Sequence, residues 1–357
     1  MNTQHESQPT RHPLHPSPGT PTAFERFPVC VLGLGLIGGS LLRDLADDGW
    51  SAFGWNRSAK TVDQATEDGY DVSGDLAATL QRAAREDALV VLGVPAFALP
   101  EILDAVSQHA PSVGLTDVTS VKGEVQALVE DRGMADRFVG GHPMAGTAHS
   151  GWRATLNGLF DGAVWVVAYD RAVAENEPPR AWFTTFERVV RMAEATGAIT
   201  IPSRSGAHDR AVARISHLPH VFAETLAMVG DQGGPLSLAL AAGSFRDTTR
   251  VAGTAPSLVR AMCEGNRDAL IECFDEALEI LNQAREELEH KDLSALTEAG
   301  YAARKRYEAT TKHGDATDPR PVIRVSPGAK GWVDQLLSAE SIGARIEIFG
   351  LSSKKCV

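Results

Sequence analysis

The sequence predicts an α/β fold in which a mostly parallel sheet domain is followed by an all-helical one. Three observations lead there. Between Pro28 and Pro202, short apolar runs alternate with helical patterns, as parallel strands covered on both faces require. The first run leads into a GxGxxG turn at Gly33, Gly35 and Gly38, which makes the sheet domain Rossmann-like. After Ser203 the strand signal almost vanishes and amphipathic helices take over.

Residues 1–27 are rich in Pro, Thr, Ser and His and lack an apolar core. They read as a disordered N-terminal segment rather than a signal peptide. Residues 28–202 form the expected dinucleotide-binding domain. Its strand candidates are Val29–Leu32, Ala52–Trp55, Leu89–Val94, Gly114–Asp117, Phe138–Gly140, Val164–Tyr169 and Ala198–Ile201. Helices such as Ile37–Asp47, Leu76–Arg85 and Trp182–Ala195 lie between them. Residues 203–312 form the helical domain, with helices over His208–Gly230, Leu236–Gly243, Pro256–Glu264 and Leu293–Thr311. Its clearest helix, Asp268–His290, repeats Leu270, Phe274, Leu278, Leu281 and Leu288 at helical spacing. Residues 313–357 read as a linker and a short C-terminal tail. The tail carries two β-like runs, Val322–Val325 and Arg345–Phe349, around an amphipathic stretch.

The chain has 357 residues, 43% of them hydrophobic, so sizeable cores are possible. A net charge of -12 argues against general nucleic-acid or anionic-membrane binding. An anionic small molecule would need its own local cluster of donors. No apolar run reaches the ~18 residues of a membrane span. Cys30, Cys263, Cys273 and Cys356 are scattered without metal spacing, so idle thiols in a reducing cytoplasm are expected and no metal site is.

In the glycine turn, the first glycine permits the bend, the second lets backbone approach a pyrophosphate, and the third allows tight helix–sheet packing. Gly33, Gly35, Leu36, Ile37 and Gly38 are therefore the expected cofactor cradle, at a helix start that favours anions. The alternative is a purely structural turn. The second strand ends in Asn56, Arg57 and Ser58, where an NAD-binding chain normally carries an acid for the ribose. No carboxylate stands there to repel a 2′-phosphate, and Arg57 could pair with one. NADP is therefore expected, with NAD possible. The competing view makes Arg57 a solvated surface residue.

Ligands of open α/β sheets bind beyond the carboxyl ends of the strands. Three segments reach that edge: one at Val94 and Pro95, one from Asp117 to Ser120 and Lys122, and one just before His142. A neutral imidazole there can accept a hydroxyl proton as hydride leaves the same carbon. The small neighbours of His142 would leave room for substrate and nicotinamide. Ser120 could hold the ring or the hydroxyl, or cap a helix beginning at Val121. In the helical domain, His217 and His220 share a helical face. They read as ligand hydrogen-bonders rather than metal ligands. Arg250 could hold a carboxylate bidentately, or it could pair with Asp247.

GLGLIGGS (33–40), TDVTSVKGE (116–124), GGHPMAGT (140–147), SHLPH (216–220) and FRDTTR (245–250) occur in this order. Together they resemble the prephenate/arogenate dehydrogenases of tyrosine biosynthesis, most closely the actinobacterial, coryneform-like members. The resemblance covers residues 28–310. It implies a Rossmann-like domain followed by an all-α dimerisation domain, hence a homodimer. It implies His142 as the catalytic proton acceptor, with Ser120 beside it. His217, His220 and Thr147 would line the substrate pocket, and Arg250 would bind the carboxylate. The implied reaction is oxidative decarboxylation of arogenate or prephenate with NAD(P)+, and the coryneform-like character favours arogenate. Ala148 and His149 stand where some relatives carry an acid. A β-hydroxyacid-type dehydrogenase is the rival enzyme, but it relies on a helical-domain lysine, and none occurs between Ser203 and His290. A non-catalytic NADP-binding sensor would need the glycine loop without His142, Ser120 and Arg250.

Overall fold

The computed structural model describes residues 26–147, 149–175, 177–310, 318 and 320–349. All but two residues of the expected disordered segment, Ala148, Cys356 and most of the expected linker lie outside the described residues. The chain begins with β1 (Val29–Leu32), α1 (Leu36–Asp47), β2 (Ala52–Trp55), α2 (Ala59–Glu67), β3 (Val72–Ser73), α3 (Leu76–Glu86) and β4 (Leu89–Leu92). It continues through α4 (Leu99–His109), β5 (Leu115–Asp117), α5 (Gly123–Glu130) and β6 (Phe138–Val139). These six strands form one parallel sheet in the order β3-β2-β1-β4-β5-β6. The central strands β1 and β4 are buried at every position. That is why VCVL and LVVL are continuously apolar instead of alternating.

The far edge of this sheet corrects one expectation. The chain leaves the sheet after Val139, and Gly141–Pro143 forms β7 of a second sheet with β8 (Val164–Ala168) and β9 (Ile199–Ser203). β7 runs antiparallel to β8, with His142 opposite Val166, and β8 runs parallel to β9. His142 is therefore a strand residue, not a loop residue beyond a strand over Phe138–Gly140. A Gly-His-Pro tripeptide has little strand preference of its own, and its pairing is set by a distant partner.

Between β8 and β9 lie α6 (Asp170–Ala174) and α7 (Arg180–Ala195). The helical domain follows as α8 (Ser205–Val212), α9 (Leu218–Gln232), α10 (Gly234–Leu240), α11 (Gly243–Thr249), α12 (Pro256–Gly265), α13 (Arg267–Glu289) and α14 (Ser294–Thr310). A π-helical turn, Ala213–His217, joins α8 to α9 and breaks the single helix expected over His208–Gly230. Pro219, in the first turn of α9, explains it. Proline lacks the N–H for an α ladder and its ring crowds the carbonyl four residues back.

The tail forms β10 (Val322–Val325), α15 (Trp332–Ile342) and β11 (Arg345–Ile348), with β10 and β11 parallel. It belongs to the core of the sheet domain. Trp332 is buried, and its ring lies 6.2 Å from that of Trp182 and 5.3 Å from that of Phe183 on α7. Thr200 of β9 donates to the Ile346 carbonyl at 3.0 Å. Among the described residues, no helix is long and apolar enough to cross a membrane.

Candidate active site

The glycine turn has the geometry its spacing predicts. Gly33 has φ +100, and a Cβ there would lie 2.6 Å from the Gly93 carbonyl oxygen. A Cβ on Gly38 would lie 2.0 Å from the Gly33 oxygen. At Gly35 the opposite holds, since a Cβ would meet nothing within 4 Å. That open space lies over the start of α1, which has no side-chain cap and no acid in its first turn. Free N–H groups at Leu36 and Ile37, a favourable dipole and room together fit a pyrophosphate.

The end of β2 is tied to this turn. Leu34 N donates to Asn56 Oδ1 at 3.0 Å. The Asn56 amide therefore spends its acceptor on the loop and keeps its N–H donors. Arg57 is exposed and has no partner among the described residues. Ser58 caps α2, accepting from Thr61 N at 3.4 Å. Val94 and Pro95 follow β4 directly, Val94 buried and Pro95 exposed.

His142 is 9% exposed and hangs from a clamped peptide. Lys122 Nζ donates to the Gly141 carbonyl at 2.6 Å, and Gly141 N donates to Asp117 Oδ1 at 3.1 Å. Lys122 and Asp117 are paired with each other, both fully buried. A Cβ on Gly141 would lie 2.7 Å from the Asp117 carbonyl oxygen. Close backbone approach, not room for a ligand, explains that glycine, which corrects the sequence-based reason for it.

The imidazole is held from the helical domain. His142 Nδ1 lies 2.8 Å from His208 Nε2, and His208 Nδ1 lies 2.8 Å from Asp209 Oδ1. Asp209 also accepts from Lys122 N at 2.9 Å and Gly123 N at 2.8 Å. It thereby caps α5 from another domain. The helix starts at Gly123, not at Val121, so Ser120 is not its cap. Ser120 is half-buried and has no hydrogen-bond partner among the described residues. Burial first, then the neighbouring His208, Lys122 and His217, hold His142 well below its ordinary value. The ring is neutral at pH 7.

His217 is buried at the end of the π-helical turn. Its Nδ1 lies 3.1 Å from Asn266 Nδ2, which also donates to the Asp209 carbonyl at 2.7 Å. An amide nitrogen is a donor, so His217 accepts at Nδ1 and keeps a proton on Nε2. Burial pushes His217 down to about 4, with Asp209 opposing and His208 and His220 adding to the push. His220 is half-buried, and its Nδ1 has no partner among the described residues. Burial lowers it too, with Glu224 opposing and the Arg250 charge adding to the fall. Arg250 is exposed in a turn after α11 and has no ion pair among the described residues. Asp247 pairs with Arg246 at 3.1 Å instead, so the alternative partner for Arg250 falls away. Thr147 is exposed and accepts from His149 N at 3.2 Å. No described contact joins it to the histidines.

Two domain models of one family match the chain. The prephenate dehydrogenase nucleotide-binding domain matches residues 47–195, and the prephenate dehydrogenase dimerization domain matches residues 204–299. The chain belongs to the prephenate dehydrogenase family. A Corynebacterium glutamicum protein solved as a candidate prephenate dehydrogenase is 55% identical, covers 90% of this chain and 99% of its own, and superposes with a TM-score of 0.86. The arogenate dehydrogenase of Synechocystis is 29% identical, covers 79% of this chain and 100% of its own, and has a TM-score of 0.64. The prephenate dehydrogenase of Bacillus subtilis is 29% identical over 279 residues, 75% of this chain and 72% of its own. The motif resemblance, coryneform-like character included, is therefore correct. As a member of the prephenate dehydrogenase family, the chain is an oxidoreductase with a nucleotide-binding domain and a helical dimerisation domain.

Sequence reasoning gave no role in this prephenate dehydrogenase family member to His208, Asp209 or Asn266, nor to the Lys122–Asp117 pair. The available signal was a His-Asp dipeptide near the start of a helix. Its two side chains bond to residues 66 and 87 positions away.

Proposed function

We propose that the chain catalyses oxidative decarboxylation of arogenate and/or prephenate, giving tyrosine or 4-hydroxyphenylpyruvate plus carbon dioxide. What carries this is one observation. His142 is buried and neutral, is engaged at Nδ1, and has no partner at Nε2 among the described residues. The bound coenzyme supplies a nicotinamide that takes hydride from C4 of the substrate ring. His142 Nε2 takes the C4 hydroxyl proton and returns it to the same oxygen once the ring is a phenol. Breaking the bond to the carboxylate sends its electron pair through the diene to C4, which aromatises the ring. Arg250 anchors a carboxylate, Ser120 steadies the hydroxyl or the imidazole, and His217 and His220 line the pocket, with Thr147 at its rim. The chain thus supplies positioning, one proton acceptor and an anion anchor.

NADP is the proposed preferred coenzyme, with NAD also accepted. The spare donors of Asn56, and Arg57 with no partner among the described residues, suit a 2′-phosphate better than a bare ribose hydroxyl. A homodimer is proposed because the helical domain exposes Met228, Val229, Leu236, Leu240, Ile280 and Leu281, more apolar surface than a monomer usually leaves in water. Arogenate and prephenate share the C4 hydroxyl and the ring carboxylate and differ in the side chain. Arogenate is favoured from the coryneform-like character. The deciding experiment assays both substrates with both coenzymes by absorbance of reduced nicotinamide. Turnover with at least one pairing is expected, fastest with arogenate and NADP+. Silence in all four leaves only a nucleotide-binding role.

A further inference from the structure

We propose that His208 is a positioning residue that, with Asp209 behind it, fixes the tautomer of His142 so that Nε2 is the free proton acceptor. This rests on the proton-acceptor role given to His142 above.

The assignment follows from counting protons along the chain of contacts. Burial pushes the Asp209 carboxyl up, but hydrogen bonds from His208, Lys122 N and Gly123 N outweigh it and hold the group below the ordinary range. Asp209 is thus a carboxylate and can only accept. His208 must therefore donate from Nδ1, which is 2.8 Å from Asp209 Oδ1. The proposal holds His208 neutral, which leaves its Nε2 bare. That nitrogen faces His142 Nδ1 at 2.8 Å, so His142 must donate from Nδ1, and its own Nε2 carries the lone pair. Free imidazole side chains favour the proton on Nε2, the arrangement that would leave His142 unable to accept there. The fold reverses that preference through two buried contacts. His208 is 3% exposed, so water does not compete for its ring.

The same contacts serve the charged state. When His142 accepts a proton at Nε2, its Nδ1–H remains bonded to His208, whose far side meets the carboxylate. Positive charge on His142 is then met by an oriented, partly shielded anion behind the His208 ring. Asp209 is itself anchored, since it caps α5 through Lys122 N and Gly123 N, and Asn266 Nδ2 bonds to its carbonyl at 2.7 Å. One residue pair in α8 therefore joins the proton acceptor, the start of α5 and the pocket histidine His217.

The test uses the full-length protein labelled with [15N]histidine, with the His142 signals assigned by their loss in His142→Asn. Wild type is expected to show a protonated Nδ1 and a bare Nε2 on His142. His208→Leu is expected to move the proton to Nε2 and to lower kcat at least tenfold, with coenzyme affinity unchanged. His208→Gln keeps an acceptor toward His142 and a donor toward Asp209, and should recover most of kcat and the wild-type tautomer. A proton on Nε2 of His142 in the wild type overturns the proposal, and this reading does not depend on whether His208→Leu folds. An unchanged tautomer and kcat in His208→Leu also overturn it. If His142→Asn turns over normally, the proton-acceptor reading fails instead, and the tautomer spectrum separates the two failures.

Discussion

Lys122 Nζ donates to the carbonyl oxygen of Gly141 at 2.6 Å, one residue before His142. The same ammonium pairs with Asp117, which accepts the Gly141 N–H. His142 thus follows a residue held on both its backbone polar groups. Lys122→Met strands the buried Asp117 carboxylate, and losing one member of a buried pair costs about 3–5 kcal/mol. Urea unfolding of this variant should show a loss of that size, and Asp117→Asn added to it should restore part. A single variant as stable as the wild type would show that the pair does not brace the strand.

The Arg250 charge acts on His220, and Arg250 has no ion pair among the described residues. A charge-assisted hydrogen bond contributes about 1.5–3 kcal/mol, so Arg250→Gln should raise the substrate KM by roughly 10- to 100-fold and change kcat little. Steady-state kinetics separate the two. A loss confined to thermal stability, with KM intact, removes Arg250 as the anchor.

Arg57, at the end of β2 next to Asn56, whose acceptor is already used, has no partner among the described residues. Arg57→Ala should weaken NADP+ by about tenfold, on the scale of one charge-assisted contact, and should leave NAD+ nearly unchanged. Fluorescence titration of each coenzyme measures this directly. Equal weakening of both would mean that Arg57 meets no 2′-phosphate.

The pH dependence has a defined sign. His142 is lowered by burial and by His208, Lys122 and His217, so it stays a competent base below the ordinary histidine range. kcat/KM should be flat through neutrality and fall only on acidification below about 6.5. Stability follows the same direction. His142, His217 and His220 all have folded values below their unfolded ones. Their contribution is present above about 6.5 and is lost as pH falls. For His217 that loss runs down to about 4. Glu194 acts oppositely: burial and Glu347, against Arg191, raise it to about 7. Its contribution is lost as pH rises through 7, so Glu194→Gln should be more stable than wild type at pH 8. Denaturation midpoints at pH 5 and pH 8 check both signs.

What the sequence made legible was local. The glycine turn, the buried strands β1 and β4, and the long helix α13 each announce themselves within a dozen residues. Their signals are steric or periodic, and neighbours along the chain create them. His142, His217 and Arg250 stand out as candidates because they lie in recognisable motifs. His208 was not, because its meaning comes from a ring 66 positions away. Asp209 was equally silent, since capping normally comes from within four residues of the helix start and here arrives from another domain. β7 and the π-helical turn escaped for the same reason. A three-residue strand and a one-turn irregularity are fixed by their partners and by Pro219, not by a repeating pattern.

The central claim is that Nε2 of His142 accepts the substrate's hydroxyl proton. Its most direct test is the single-turnover rate of His142→Asn with the better of arogenate and prephenate, beside coenzyme titration of the same sample. The account predicts coenzyme binding equal to wild type and a rate lower by about 10²–10⁴-fold, the usual cost of removing a general base. A rate within a few-fold of wild type would contradict it.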